Sequence, residues 1–331
     1  MPSTADGAFT DRALPESMSL TLENLTFMSK YDHLVGRELE NGYCSWDSDR
    51  TLLYAVGVGG GLPDPLAELE FTTENSPGLP QKVLPTFLVL MSTKASWIPL
   101  LDFGEGGNSP IGMVHGEQSI DLARSIPPEG RAHVTRTLVD VYDKGSGALA
   151  VTESRITLAD TGELLGKTRM GLFVQGRGGF GGRRGPSGEQ AWARPDRAPD
   201  LTVSLPVGLN QSLIYRLLGD RTLHGTDPVR ARADGFDRPV FFGLGTFGVA
   251  GRALLKGLCD GVEARFGAMD CRMSKPVHPG DQLDTHIWHT EGGAQFQVTA
   301  TGGRVVLDRG LFRFRGVGQM PQQSEPVAAT S

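Results

Sequence analysis

Residues 212–258 read SLIYRLLGDRTLHGTDPVRARADGFDRPVFFGLGTFGVAGRALLKGL, and this stretch decides the fold. From Gly243 onward, Leu244, Phe247, Gly248, Gly251, Leu254, Leu255 and Leu258 fall at offsets of 3, 4, 7, 10, 11 and 14 from Leu244, which is a helical stripe. Ahead of it, Leu213-Ile214-Tyr215 leads into a polar turn running from Gly219 to Pro228, and Asp227 is placed to cap a short helix opening at Pro228.

About 160 residues upstream the same layout occurs again: Leu52-Leu53-Tyr54, a Gly-rich turn, Asp64-Pro65, then Leu84-Pro85-Thr86-Phe87 opening an apolar stretch to Leu101. Tyr54 to Phe87 is 33 residues and Tyr215 to Phe247 is 32, so the chain reads as a tandem duplication of one helix-bearing unit. Strand-like runs follow each helix. They are Met113–Leu122, Arg131–Tyr142, Ala148–Thr157 and Leu164–Phe173, then Met269–Ser274, Gln282–Thr290, Ala294–Thr301 and Arg304–Phe314. Gly, Pro and Asp clusters punctuate them. A helix followed by an antiparallel sheet, twice over, is an α+β architecture in which each sheet covers its helix.

At 331 residues the chain holds two domains of ordinary size, and its net charge of -6 argues against a nucleic-acid partner. Three cysteines, Cys44, Cys259 and Cys271, have no paired spacing and fit a reducing compartment, so a cytoplasmic location is expected. No apolar run reaches the roughly 20 residues of a membrane span. The glycines at 57, 59, 60 and 61 are not a dinucleotide cradle, because Leu62-Pro63-Asp64-Pro65 breaks the helix such a loop must open. The Gly/Arg-rich tract from Gly176 reads as a surface connector rather than an RNA-binding segment. His278, His286 and His289 lack metal-site spacing, so no metal is expected.

Several blocks together resemble the MaoC-like double hot-dog (R)-specific enoyl-CoA hydratases of the peroxisomal multifunctional-enzyme type. They include Val83-Leu84-Pro85-Thr86-Phe87, Val114-His115-Gly116-Glu117-Gln118, Tyr215-Arg216-Leu217-Leu218-Gly219-Asp220, Gly235-Phe236-Asp237-Arg238-Pro239 and Gly243-Leu244-Gly245-Thr246-Phe247-Gly248. The resemblance implies two hot-dog units, each a sheet wrapped around a long helix, with an acyl thioester in a tunnel between them. It implies further that only the C-terminal half reacts. There an Asp and a His hold one water for addition across the double bond, and backbone N–H groups at the helix start hold the thioester oxygen. On this basis Asp220 is the expected base, His224 its partner and Gly243 the oxyanion donor. A helix N-terminus independently suits a developing enolate, since it offers free N–H groups and positive potential.

The family's turn reads Gly-Asp-x-Asn-Pro-Leu-His-x-Asp-Pro. Here Gly225 occupies the His position, His224 comes one place early, Thr222 stands for Asn, and Phe242 replaces the His before the oxyanion glycine. Tyr54, His115, Glu117, Phe242, Arg272 and Lys275 complete the candidates, as substrate contacts. His115 and Glu117 would share one face of a strand, and Arg272 and Lys275 border the Pro276–Gly280 turn, suited to the anionic end of a CoA or carrier arm.

The resulting expectations are a disordered N-terminus over 1–18, an N-terminal hot-dog over 19–175, a linker over 176–199, a C-terminal hot-dog over 200–316 and a disordered tail over 317–331. The protein needs no cofactor beyond the CoA or carrier-protein pantetheine of its small-molecule acyl substrate, and a homodimer is an assembly open to it. Hydration or dehydration of an enoyl or 3-hydroxyacyl thioester is the leading activity. An intramolecular conjugate addition or cyclisation, and acyl binding without catalysis, are the alternatives on the same scaffold.

Overall fold

The computed structural model describes residues 30–92, 112–185 and 192–316. Among these residues ten strands form one antiparallel sheet. The first half supplies β1 (Glu38–Trp46), β2 (Met113–Leu122), β3 (Gly130–Asp143), β4 (Gly147–Leu158) and β5 (Leu164–Gln175). The second supplies β6 (Leu201–Pro206), β7 (Phe266–Met273), β8 (Gln282–Thr290), β9 (Gly293–Ala300) and β10 (Arg304–Phe314). Their order is β1-β3-β4-β5-β2-β7-β10-β9-β8-β6. Read inward from either edge the topology is the same, which is the duplication expressed in space. The halves join where β2 pairs with β7, from Glu117 opposite Arg272 to Asp121 opposite Ala268.

The α-helices among the described residues are α1 (Ser48–Gly57), α2 (Leu69–Thr72), α3 (Gln211–Tyr215), α4 (Pro228–Ala233) and α5 (Gly243–Cys259). As the sequence implies, Asp227 caps α4, its Oδ1 accepting from the N–H of Val229 at 2.8 Å and of Arg230 at 2.9 Å. Helix α5 is buried around nearly its whole circumference from Gly245 to Leu255, not along one stripe alone. The sheet covers one side and elements of the first half cover the other. A Cβ on Gly248 would lie 2.4 Å from Val58, and one on Gly251 2.4 Å from Thr86, so these glycines permit the close approach.

Pro85–Ser92 is a 3-10 helix, and the remainder of the apolar stretch to Leu101 lies outside the described residues. Edge strands β1 and β6 were not anticipated. β1 buries only Leu39 and Trp46 fully, because one face is open to solvent, so its apolar signal is thin. The Gly/Arg-rich tract turns back onto the sheet. The Asp143 carboxylate accepts from the N–H groups of Gly145, Gly179 and Gly181, and Arg183 pairs with Asp140 at 3.0 Å. Phe180 meets the edge of Tyr31 at 4.8 Å, in a small second core.

Candidate active site

A cavity of about 710 Å³ opens between the halves. The first half contributes Tyr43 to Trp46 of β1, Arg50 of α1, Phe87, Leu90 and Met91 of the 3-10 helix, His115 of β2 and Met170 of β5. The second contributes Tyr215, the turn Leu218 to Thr222 and Leu244 in the first turn of α5. One wall is thus apolar and aromatic, suited to an acyl chain, and one end is polar.

Asp220 is at the polar end. Its Oδ1 accepts from Thr222 N–H at 3.0 Å and from Thr222 Oγ1 at 2.6 Å. Thr222 thereby orients the carboxylate by its hydroxyl. Arg50 reaches across from the first half and donates from Nη2 to the Leu218 carbonyl at 2.9 Å, bracing the turn that carries Asp220. A symmetric contact runs the other way, from Gln211 Nε2 to the carbonyl of Gly57 at 2.6 Å. The Tyr215 hydroxyl is buried and has no hydrogen-bond partner among the described residues. Burial, with smaller contributions from Tyr54 and the Asp220 charge, raises its pKa well above the usual value, so it remains protonated.

The candidates divide. Asp220 and His115 line the cavity; Gly243 is exposed at the start of α5, immediately before the lining residue Leu244. The first-turn N–H groups of α5 have no intrahelical partner, so the helix start offers donors beside the cavity.

The structure does not bring His224 to Asp220. His224 Nδ1 lies 3.3 Å from Asp234, and its ring meets the edge of Phe236. Phe242, expected to touch substrate, is instead 3% exposed and stacked on Tyr215 with ring centres 5.5 Å apart. A Cβ on Gly225 would lie 2.5 Å from the Phe242 ring. The two departures from the family turn are therefore one packing event, with the Phe242 ring in the space a side chain at 225 would need.

Tyr54 is wholly buried against Phe87 rather than facing the cavity. Arg272 and Lys275 are exposed and do not line it. The expectation that His115 and Glu117 share a face fails because the β2–β5 register shifts between them, at Gly116. Such a bulge re-aims side chains. His115 lines the cavity, while Glu117 does not, and its charge is felt by Lys144 and Asp270. Burial pushes the His115 imidazole down to about 4, opposed by its hydrogen bond to Glu117, the Gln118 side chain and the Asp220 charge.

Arg50, Tyr215 and the β1 wall were missed as cavity residues. The repeat itself held a signal for Tyr215, since it is the copy of Tyr54 in the half that carries Asp220. The counterpart of Asp220 in the first half is Gly59. There Arg252 fills the space, its Nη1 3.0 Å from a Cβ built on Gly59. That guanidinium donates to the Val58 carbonyl at 3.0 Å and pairs with Glu68. The duplication leaves one end carrying a carboxylate at the cavity and the other filled by an ion pair.

Residues 44–176 match the MFE-2 hydratase 2 N-terminal domain, and residues 190–309 match the MaoC like domain. The chain is 40% identical over 289 residues to 3-hydroxyacyl-thioester dehydratase Y of Mycobacterium tuberculosis, covering 85% of this chain and 97% of that protein. It is 34% identical to the peroxisomal multifunctional enzyme type 2 of Mus musculus, covering 82% of this chain and 37% of that longer protein. A MaoC-like dehydratase from Phytophthora capsici superposes with a TM-score of 0.75 at 29% identity, covering 85% of this chain and 96% of the other. The chain belongs to the MaoC-like hydratase and dehydratase family, as a double hot-dog member of the multifunctional-enzyme hydratase type.

Proposed function

We propose that the protein is a hydro-lyase interconverting enoyl and 3-hydroxyacyl thioesters, with Asp220 as the base and the N–H groups at the start of α5 holding the thioester oxygen. The observation that carries this reading is Asp220 at the polar end of an otherwise apolar cavity, beside that helix start. In hydration the carboxylate takes a proton from water as the oxygen adds to the β-carbon, and the enolate that develops is stabilised by donors aimed at its oxygen. The substrate's CoA or pantetheine arm serves as its handle, and no separate cofactor enters the reaction. Cys44, Cys259 and Cys271 are thiols rather than disulfide sulfurs, which fits a reducing compartment, in keeping with a cytoplasmic enzyme.

The test is loss of the conjugated ultraviolet absorbance of crotonyl-CoA or a longer enoyl-CoA on incubation with the purified protein. Asp220→Asn is expected to abolish it while leaving the folded state intact. Full turnover by Asp220→Asn would exclude Asp220 as the base, and inert wild-type protein across chain lengths would exclude the activity.

A further inference from the structure

We propose that His115, contributed by the first half, takes the place of the turn histidine and holds the reacting water together with Asp220. This rests on the hydratase reading above and adds a residue to its site.

The turn supplies no imidazole to the cavity. His224 is engaged by Asp234, position 225 is glycine and position 242 carries a phenyl ring packed on Tyr215. Among the described residues His115 is the histidine that lines the cavity with Asp220, and it is close enough to feel the carboxylate's charge. The irregularity at Gly116 turns it inward, away from the direction strict alternation would give.

The hydrogen bonding defines which ring nitrogen is available. His115 Nε2 lies 3.1 Å from the Glu117 carbonyl oxygen. A carbonyl only accepts, so Nε2 carries the hydrogen and Nδ1 of the neutral ring is an acceptor, with the Gln118 side chain also in hydrogen-bond reach of the ring. Burial keeps that ring neutral through the physiological range. On Asp220, Thr222 occupies Oδ1, and the described residues give Oδ2 no hydrogen bond. The site therefore presents two acceptors, Asp220 Oδ2 and His115 Nδ1. A water molecule has two hydrogens to donate, and donating both leaves its lone pairs for attack.

The chemistry balances without a further reactant. The water oxygen bonds to the β-carbon, and the π electrons of the double bond move to the thioester oxygen. The O–H bond towards Asp220 breaks and its proton passes to the carboxylate. Asp220 then delivers that proton to the α-carbon as the enolate collapses. His115 keeps accepting the remaining hydrogen, now that of the 3-hydroxyl, and undergoes no net proton change. It is a positioning residue for the water.

Two variants separate this role from a structural one. Asparagine at 115 can place an acceptor near the position of Nδ1, whereas glutamine places its amide near Nε2 and restores only the bond to Glu117. His115→Gln is expected to lower kcat on an enoyl-CoA about 10²-fold with little change in KM, and His115→Asn to retain activity within about 10-fold. His224→Ala is expected to stay near wild type. Equal activity of the Gln and Asn variants, or loss on His224→Ala with His115→Gln unaffected, overturns the proposal while leaving Asp220 and the hydratase reading standing. Inert wild type removes both. If the Gln variant does not fold, nitrogen NMR of the wild-type imidazole decides. The expected result is an Nε2–H tautomer whose Nδ1 resonance shifts on adding 3-hydroxybutyryl-CoA; the other tautomer, or no shift at saturation, overturns it.

Discussion

The contact between Gly225 and Phe242 makes a quantitative prediction. Phe242 ends the segment entering α5, so its backbone position is set by the helix, and its ring is buried between Tyr215 and the 3-10 turn Leu223–Gly225. A methyl group added at 225 would sit 2.5, 2.8 and 3.1 Å from three ring carbons, closer than van der Waals contact allows. Gly225→Ala should therefore cost about 1–3 kcal/mol of overpacking. The smaller entropy of the unfolded alanine chain offsets roughly 0.4–1 kcal/mol of that. Phe242→Ala should cost about 3–5 kcal/mol through the cavity it leaves. In the double variant the alanine methyl enters vacated space, so its penalty vanishes. The loss should then match that of Phe242→Ala alone or fall slightly below it, a coupling of about 1–3 kcal/mol. Urea denaturation of the wild type, both single variants and the double variant measures this directly. Additivity within about 0.5 kcal/mol would show that the ring does not occupy the space beside Gly225, and the explanation of the altered turn would fall with it.

Other consequences concern buried charge. Asp270 is pushed up to about 7, first by burial and then by the Glu117 charge, with Arg169 opposing. Its folded pKa lies above its unfolded value, so its cost is absent below about pH 4 and grows as pH rises towards 7. Asp270→Asn should thus leave stability unchanged at pH 4 and raise it at pH 8 by at most about 4 kcal/mol; thermal melts that move equally at both pH values would contradict this. His115 acts in the opposite sense, because its folded pKa of about 4 is below the unfolded value. It should contribute a loss of stability as pH falls from about 6.5 towards 4, and His115→Asn should flatten that part of the profile. Glu68→Gln would leave the Arg252 guanidinium, 1% exposed, without its counter-charge and should cost about 3–5 kcal/mol in denaturant unfolding. A negligible change there would mean that the carbonyl of Val58 alone satisfies Arg252.

Much of the architecture was readable from residue order. Helix α5 declares itself through its apolar spacing, eight interior strands through alternation between turn residues, and the duplication through the Tyr-to-Phe intervals. These are properties of neighbours along the chain, where period and turn chemistry act locally. Asp220 came from the resemblance of its contiguous Gly-Asp turn to the family's, and the structure puts it at the cavity. The polar edge strand β1 was obscure for the converse reason, since a strand with one solvated face needs few apolar residues.

What only the tertiary structure decided is which side chains meet. Periodicity assigned His115 and Glu117 to one face, but a single register shift at Gly116 separates them and sends the imidazole to Asp220's cavity. Proximity in the turn favoured His224, yet Asp234, ten residues further on, holds it instead. The two changed positions 225 and 242 look like independent losses in sequence and prove to be one ring filling one space. Arg50 reaches the turn that carries Asp220, and Arg252 fills its counterpart in the first half, across separations of 168 and 184 residues. Sequence determined the repeat because it is written in local pattern, and the likeness of one short turn to the family's singled out the carboxylate. Packing between the two copies decided the rest, because the copies approach each other through shape and buried charge that no stretch of either one contains.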